Sequence, residues 1–257
     1  MDCIGLRAPF PFPVMANRLI QSVAQLGSLN AALYACDRVL RRLSGGRWAL
    51  YKYQFLAQAV GAAPLCGGRG ARIAVRLCRS LHELPSGYPR PAAVLRARYA
   101  QHACSLAAVR HGELVGFLWL LFGACQEDEV RARYLLASPH SCWDFDVWVR
   151  PQERLGLVFP RLWDEANALL RARAVRWSCS RISAFNPASL AAHASIGTVA
   201  LGSATFLRCG RWQWMLATLA PYFHLSRHAG AFPRLCFDTG TLPLPPVPES
   251  PCPTSKP

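Results

Sequence analysis

The sequence predicts a mixed α/β protein of the α+β kind, a sheet with helices on both faces, preceded by a helical extension. Three observations lead there. Segments of strand period alternate with segments of helix period between residues 71 and 222. The 257 residues, 52% hydrophobic and 17% charged, are enough for one sizeable domain and too apolar for a wholly disordered chain. A leucine heptad pattern is confined to the region before residue 44. The expected division is a helical extension and linker over 1–70, the mixed domain over 71–222, and a C-terminal extension over 223–257. After Asp238 the composition is proline-rich, and that tail is expected to be disordered.

Residues 1–15 carry Pro9, Pro11 and Pro13 and should be irregular. From Ala16 to Leu43, Leu19, Leu26, Leu33 and Leu40 recur every seven residues, with Ser22, Leu29, Cys36 and Leu43 at the alternate position, an a/d seam of four heptads. Gly27 interrupts it, which favours a helix packed on an apolar surface of this chain or of a second copy, as a homodimer. Its basic end, Arg38, Arg41, Arg42 and Arg47, offers peripheral membrane contact as the alternative. Trp48–Val60 is aromatic and partly alternating, and GAAPLCGGRGAR after it reads as a linker. Arg72–Leu77 reads as a short strand and Pro91–Ala103 as a helix; Ser105–Arg110 and Glu113–Phe122 are strand-like runs flanking a turn at His111-Gly112. Glu127, Asp128 and Glu129 read as a solvated loop.

Trp143–Val149 alternates, so that as a regular strand it puts Trp143, Phe145, Val147 and Val149 on one face and Asp144, Asp146 and Trp148 on the other. Leu155–Ala174 has helical spacing, with Leu162, Ala166, Leu169 and Leu170 on the apolar side. Val175–Ile182 is the next strand, Ala188–Ser195 a short helix, and Val199–Arg208 with Arg211–Leu219 a closing hairpin about Cys209-Gly210.

Lysine plus arginine number 29 against 14 acidic residues, a formal charge of +15, and Lys52 and Lys256 are the only lysines. Such an excess favours anionic partners: the phosphates of CoA or a nucleotide, an acyl carrier protein, nucleic acid or a membrane face. No zinc-finger, RNP-like or basic-zipper pattern supports specific nucleic-acid binding. The 11 cysteines form neither a C-x-x-C pair nor a Cys/His cluster, which reads as reduced thiols in a cytoplasmic protein with no metal. The N-terminus makes a poor secretory signal. The longest apolar run, Leu114–Cys125, falls short of the roughly 20 residues that cross a membrane as a helix.

A strand that hands over to a helix is a natural place for an anion, because the helix start offers unpaired N–H groups and the positive end of its dipole. Here that junction is VRPQERLGLV, Val149–Val158, with Arg150 and Arg154 beside Gly156. Strand, V-x-P-x-x-R-x-G, long amphipathic helix, strand, then Asn186-Pro187-Ala188-Ser189 and a short helix ending at Gly197 together resemble the GNAT superfamily of acyl-CoA-dependent N-acyltransferases. The family pattern N-x-x-[AS]-x-x-x-Y-x-x-x-G is met by Asn186, Ser189 and Gly197, with His193 in place of the tyrosine; the hairpin VRHGELVG has Gly116 at the usual place. The resemblance covers about residues 70–220 and is most specific over 143–197.

The resemblance implies a splayed sheet in which Trp143–Val149 parts from Val175–Ile182, with acetyl-CoA or acyl-CoA as co-substrate. Backbone groups at Val147 and Val149 would pair with pantetheine, the N–H groups of Arg154, Leu155, Gly156 and Leu157 would hold the pyrophosphate, and Asn186 would touch the pantetheine arm. His193 would protonate the departing thiolate. Asp146 first and Asp144 second are the candidate bases for an amine that arrives as an ammonium. Val158 stands where the family has Gly or Ala, and a branched side chain there would crowd the approach to phosphate. The implied activity is transfer of an acetyl or longer acyl group to a small-molecule or peptide amine by direct attack. The alternative is a non-catalytic protein of this fold that binds acyl-CoA or an anionic partner.

Overall fold

The computed structural model describes residues 24–243. The expectations for residues 1–23 and for the tail past residue 243 lie outside the described residues. In chain order the elements are α1 (Ser28–Leu43), β1 (Trp48–Ala59), β2 (Ala74–Cys78), α2 (Ala92–Ala100), β3 (Cys104–Arg110), β4 (Glu113–Leu121), β5 (Cys125–Gln126), β6 (Arg133–Leu136), β7 (Ser141–Val149), α3 (Val158–Ala172), β8 (Trp177–Ser183), α4 (Pro187–Ala194), β9 (Val199–Cys209), β10 (Trp212–Ala217), β11 (Phe223–Ser226) and β12 (Arg234–Phe237). They fall into two compact units. One holds residues up to Leu56, Gln126–Arg133 and Arg181–Leu235; the other holds Ala57–Cys125, Tyr134–Ser180 and residues from Cys236. Neither limit falls at residue 70, and β1 contributes to both units.

The second unit carries the strand order β8-β7-β4-β3-β2. β2, β3, β4 and β7 pair antiparallel, and β7 pairs parallel with β8 through the crossover helix α3, which makes the sheet mixed. α3 lies on one face because Val158, Leu162, Trp163, Ala166 and Leu170 recur at helical spacing, and these side chains are wholly buried against Leu106, Ala108, Val115, Leu118, Leu120 and Cys142. Each such aliphatic side chain contributes about 1.5–3 kcal/mol on burial. Pro160 sits in the first turn, where it removes no helical hydrogen bond. The other face carries an aromatic layer: Tyr88 stacks on Phe117 at 4.5 Å, Phe117 on Trp148 at 5.6 Å, and Tyr99 of α2 lies 5.1 Å from Trp119. The sheet therefore has helices on both faces, as its patterning predicts.

One irregularity decides the placement of the acidic side chains. Trp119 faces Phe145 and Phe117 faces Trp148, so two residues of β7, Asp146 and Val147, oppose the single residue Leu118. Asp146 has φ +48°, a left-handed value that Asp tolerates better than most residues. The bulge shifts the alternation by one. Asp144 lies on the face of Cys142 and α3, whereas Asp146 lies on the aromatic face with Phe145 and Trp148. The expectation that Asp144, Asp146 and Trp148 share a face is corrected.

In the first unit β9, β10 and β11 form an antiparallel meander, with β1 beside β9 and next to β8 in turn. The run Trp48–Val60 is thus an inner strand. α1 is oriented by Asp37, whose carboxylate accepts from the Leu50 N–H at 2.8 Å and from Arg41 at 2.8 Å. Only one row of the heptad seam is turned inward: Leu26, Leu33 and Leu40 are half-buried and Ala31 and Asp37 are buried, while Leu29, Cys36 and Leu43 are exposed. The expected solvated loop at Glu127–Glu129 is instead tied down, since Glu127 is buried and bonded to Arg181.

Candidate functional site

The junction after β7 forms as the sequence predicts. Arg150 to Glu153 make a tight turn opened by Pro151, and α3 starts at Val158. Leu157 supplies no side-chain cap and the first turn of α3 carries no acidic residue. The Gly156 N–H donates to Glu153 O at 3.0 Å and the Arg154 N–H to Pro151 O at 3.5 Å, leaving Leu155 and Leu157 as the N–H groups the turn itself does not use among the described residues. Leu155 is fully exposed.

Val158 does not crowd this turn. Its side chain is wholly buried and points into the core, where a Cβ added at Gly116 would lie 2.7 Å from Val158 Cγ1 and 3.0 Å from Trp148 O. The absence of a side chain at Gly116 is what admits the branched residue. Gly116→Ala is expected to cost about 2 kcal/mol by overpacking, and Val158→Ala in the same chain to return about 1 kcal/mol of it. Urea unfolding of both single variants and the double measures the coupling; simple additivity would show that the two do not compete for space.

A cavity of about 710 Å³ opens beside the turn, lined by Gly156 and Leu157 on one side, by the loop Gly68–Ile73, and by Arg110, His111 and Glu153. The loop read as a linker is therefore a built wall. Gly67, Gly68 and Gly70 all have φ between +53° and +85°, conformations open to glycine at no steric cost. Asp164 of α3 holds the loop by accepting from the Leu65 N–H at 2.6 Å and the Cys66 N–H at 3.1 Å. Arg69, Arg72, Arg110 and His111 face one carboxylate, Glu153, which is ion-paired to Arg110. These residues were not legible as a site; the only signal was the density of glycine and arginine in CGGRGAR.

The two candidate bases have different surroundings. Asp144 is 1% exposed and accepts from the Ser178 hydroxyl at 2.6 Å and the Ser180 hydroxyl at 2.7 Å. Burial pushes the thiols of Cys142 and Cys179 up from their ordinary range, with the charge of Asp144 adding to the effect, so neither is set up as a nucleophile. Asp146 is bonded by Arg90 Nε at 2.7 Å, by Arg90 Nη2 and by Arg98 Nη1. The guanidinium of Arg98 lies 5.2 Å from the ring centres of both Trp119 and Phe145, and that of Arg90 lies 5.4 Å from Phe117. Neither arginine was singled out in the sequence.

The parallel register of β7 with β8 runs from Ser141↔Trp177 to Asp144↔Ser180 and no further, so Val147 and Val149 lie past the stretch paired with β8, although Val149 still pairs with Gly116 of β4. In the first unit, Asn186 caps α4, its Oδ1 accepting from the Ser189 N–H at 3.1 Å. His193 is 5% exposed, and its Nδ1 lies 2.8 Å from Ser189 O. These two residues belong to a different unit from Asp144, Asp146 and the turn.

No protein-family profile and no curated protein matches the chain. Among solved structures it is similar to a functionally unknown conserved protein from Staphylococcus epidermidis (TM-score 0.45, 11% identity, 68% of each chain covered). It is also similar to a putative acetyltransferase from the GNAT family from Novosphingobium aromaticivorans (TM-score 0.41, 13% identity, 61% of this chain and 62% of that one). A tandem GNAT protein from the clavulanic acid biosynthesis pathway is similar at a TM-score of 0.40 and 17% identity, over 59% of this chain and 50% of that one. The chain thus spans about three fifths of the second of these proteins and half of the third.

Proposed function

We propose that this chain moves an acetyl or longer acyl group from acyl-CoA to an amine. The observation that carries the reading is the basic cavity of about 710 Å³ beside the uncapped start of α3, walled by Gly156, Leu157, Arg69, Arg72 and Arg110. A helix start without its own cap, next to several guanidinium groups, suits the phosphates of CoA. In this reading the backbone of Val147 and Val149, past the stretch of β7 paired with β8, meets pantetheine, and in the turn Arg154–Leu157 the Arg154 side chain and the N–H groups of Leu155 and Leu157, beside Gly156, meet the pyrophosphate. The amine arrives as an ammonium and must first lose a proton. Asp146 is the proposed acceptor, directly or through water, because 14% of its side chain meets solvent whereas Asp144 is 1% exposed. The neutral nitrogen then attacks the thioester carbon, the C–N bond forms as the C–S bond breaks, and CoA leaves as a thiolate that takes up a proton.

Calorimetric titration with acetyl-CoA, a long-chain acyl-CoA and free CoA tests the reading. Arg154→Ala and Arg72→Ala are each expected to weaken binding about tenfold or more, the worth of a charge-assisted hydrogen bond. Failure of all three ligands to bind the wild-type chain would sink CoA as donor.

A second reading, a non-catalytic protein that binds acyl-CoA, is favoured by the three guanidinium contacts on Asp146 and the burial of His193. Binding without release of CoA thiol in the presence of a panel of amines would select it.

A further inference from the structure

β10, β11 and the turn between them form the end of the first unit's meander, and their sequence is unusual. From Trp212 to Ser226 the chain reads WQWMLATLAPYFHLS, without a lysine, arginine, aspartate or glutamate, and Arg211 and Arg227 bracket it. The pairs Trp214↔Leu225 and Leu216↔Phe223 put Trp212, Trp214, Leu216, Phe223 and Leu225 on one face. Gln213, Met215 and Ser226 are buried on the other. At the tip Leu216, Tyr222 and Phe223 are 62%, 68% and 57% exposed. Large apolar side chains so placed on one hairpin mark a contact surface.

Two further features say what covers it. The turn is fixed to the meander by two backbone hydrogen bonds, from the Ala217 N–H to Tyr222 O at 2.8 Å and from the Thr218 N–H to Ser203 O of β9 at 2.9 Å, so the apolar side chains are presented from a held position. Arg211 and Arg227 also set positive charge at both ends of the apolar run, in a chain whose formal charge is +15. The guanidinium groups of Arg211 and Arg227 lie 5.7 Å and 5.9 Å from the ring centre of Trp212, at the base of the hairpin.

We propose that this hairpin docks on an anionic membrane surface. Leu216, Tyr222 and Phe223 enter the boundary between headgroups and acyl chains, while Trp212, Trp214 and the two arginines sit at headgroup level. A second copy on the same surface would set Arg211 and Arg227 against their equivalents. Nucleic acid would answer the arginines and leave Leu216 and Phe223 in water. The proposal does not depend on the acyl-transfer reading.

Flotation of the full chain with vesicles of phosphatidylcholine alone and of phosphatidylcholine with phosphatidylglycerol tests it. Partition is expected onto the anionic vesicles, weakened more than about tenfold by Leu216→Ser with Phe223→Ser, and about fivefold by Arg211→Gln. Tyr222→Asp, at an exposed position, puts a negative charge on the tip and is expected to abolish flotation while leaving the circular dichroism spectrum unchanged. Failure to float with either vesicle, or equal flotation of the wild-type chain and all variants, would overturn the proposal. So would a dimer that the hairpin variants convert to monomer without any vesicle binding, which would identify the occupant as a second copy.

Discussion

Asp146→Ala is expected to lower stability by about 3 kcal/mol or more, because it removes the shared counter-ion of two guanidinium groups. Arg98 is 8% exposed and lies over the rings of Trp119 and Phe145, so after the substitution it would remain among apolar rings without the carboxylate it bonds. Backbone conformation adds to the cost. At φ +48° the residue sits where alanine is disfavoured and asparagine is tolerated. Asp146→Asn keeps the backbone preference and loses the charge, whereas Asp146→Gly keeps the backbone and loses both charge and side chain. Ranking the three by thermal or urea unfolding separates the ion pair from the bulge. A double variant, Asp146→Asn with Arg98→Met, is expected to recover part of the loss, since an apolar side chain suits that aromatic layer once the carboxylate is gone. Equal stability of Asp146→Ala and wild type would show that the arginines need no counter-ion there.

Stability should also fall as pH rises from about 4.5 to about 7, and Glu127 is the cause. Burial pushes its carboxyl up to about 7 from an ordinary value near 4.5; the charge of Arg181 acts the other way, and Asp128 adds to the rise. The groups against it are Arg181 at 2.8 Å, the Asp128 and Glu129 N–H groups at 3.0 Å and 3.2 Å, the charge of Asp128, and the neutral Tyr53 hydroxyl that donates to Glu129. Between the two values the folded chain retains a proton that the unfolded chain has released, so raising the pH favours unfolding; below about 4.5 and above about 7 the contribution is flat. The span corresponds to at most about 3 kcal/mol. Melting temperatures across this range should therefore decline for the wild-type chain and decline less for Glu127→Gln. A wild-type profile that rises with pH while the variant's stays level would contradict the assignment.

What could be read in the sequence is what burial dictates directly. The hairpin of β3 and β4, the helix α3 and the hairpin of β9 and β10 lie close to their expected places, because their apolar periods match the faces they cover. The bulge in β7 escaped because a binary pattern of apolar and polar residues does not register one residue with positive φ. Arg90 and Arg98 escaped for a different reason: they stand 56 and 48 residues before Asp146 in the chain, and no local pattern joins them. The wall Gly68–Ile73 looked like a linker because glycine serves a flexible segment and a tightly folded loop equally well. The turn after β7 was found from its arginine and glycine, yet the inward direction of Val158 depended on Gly116 of β4, which no local pattern joins to it.

The position of β1 sets a timetable for the chain. It leaves the ribosome well before its neighbours β8 and β9, which begin at Trp177 and Val199. Both of its hydrogen-bonding edges must wait for more than a hundred residues of synthesis before either partner exists. Closing so long a loop is entropically slow, and meanwhile a strand carrying Trp48, Tyr51, Tyr53 and Phe55 stands with open edges. Such a chain has reason to shield β1 during synthesis, and α1, bonded to β1 through Asp37 and through Asn30 to Lys52 at 2.8 Å, is an element already made and near enough to do so.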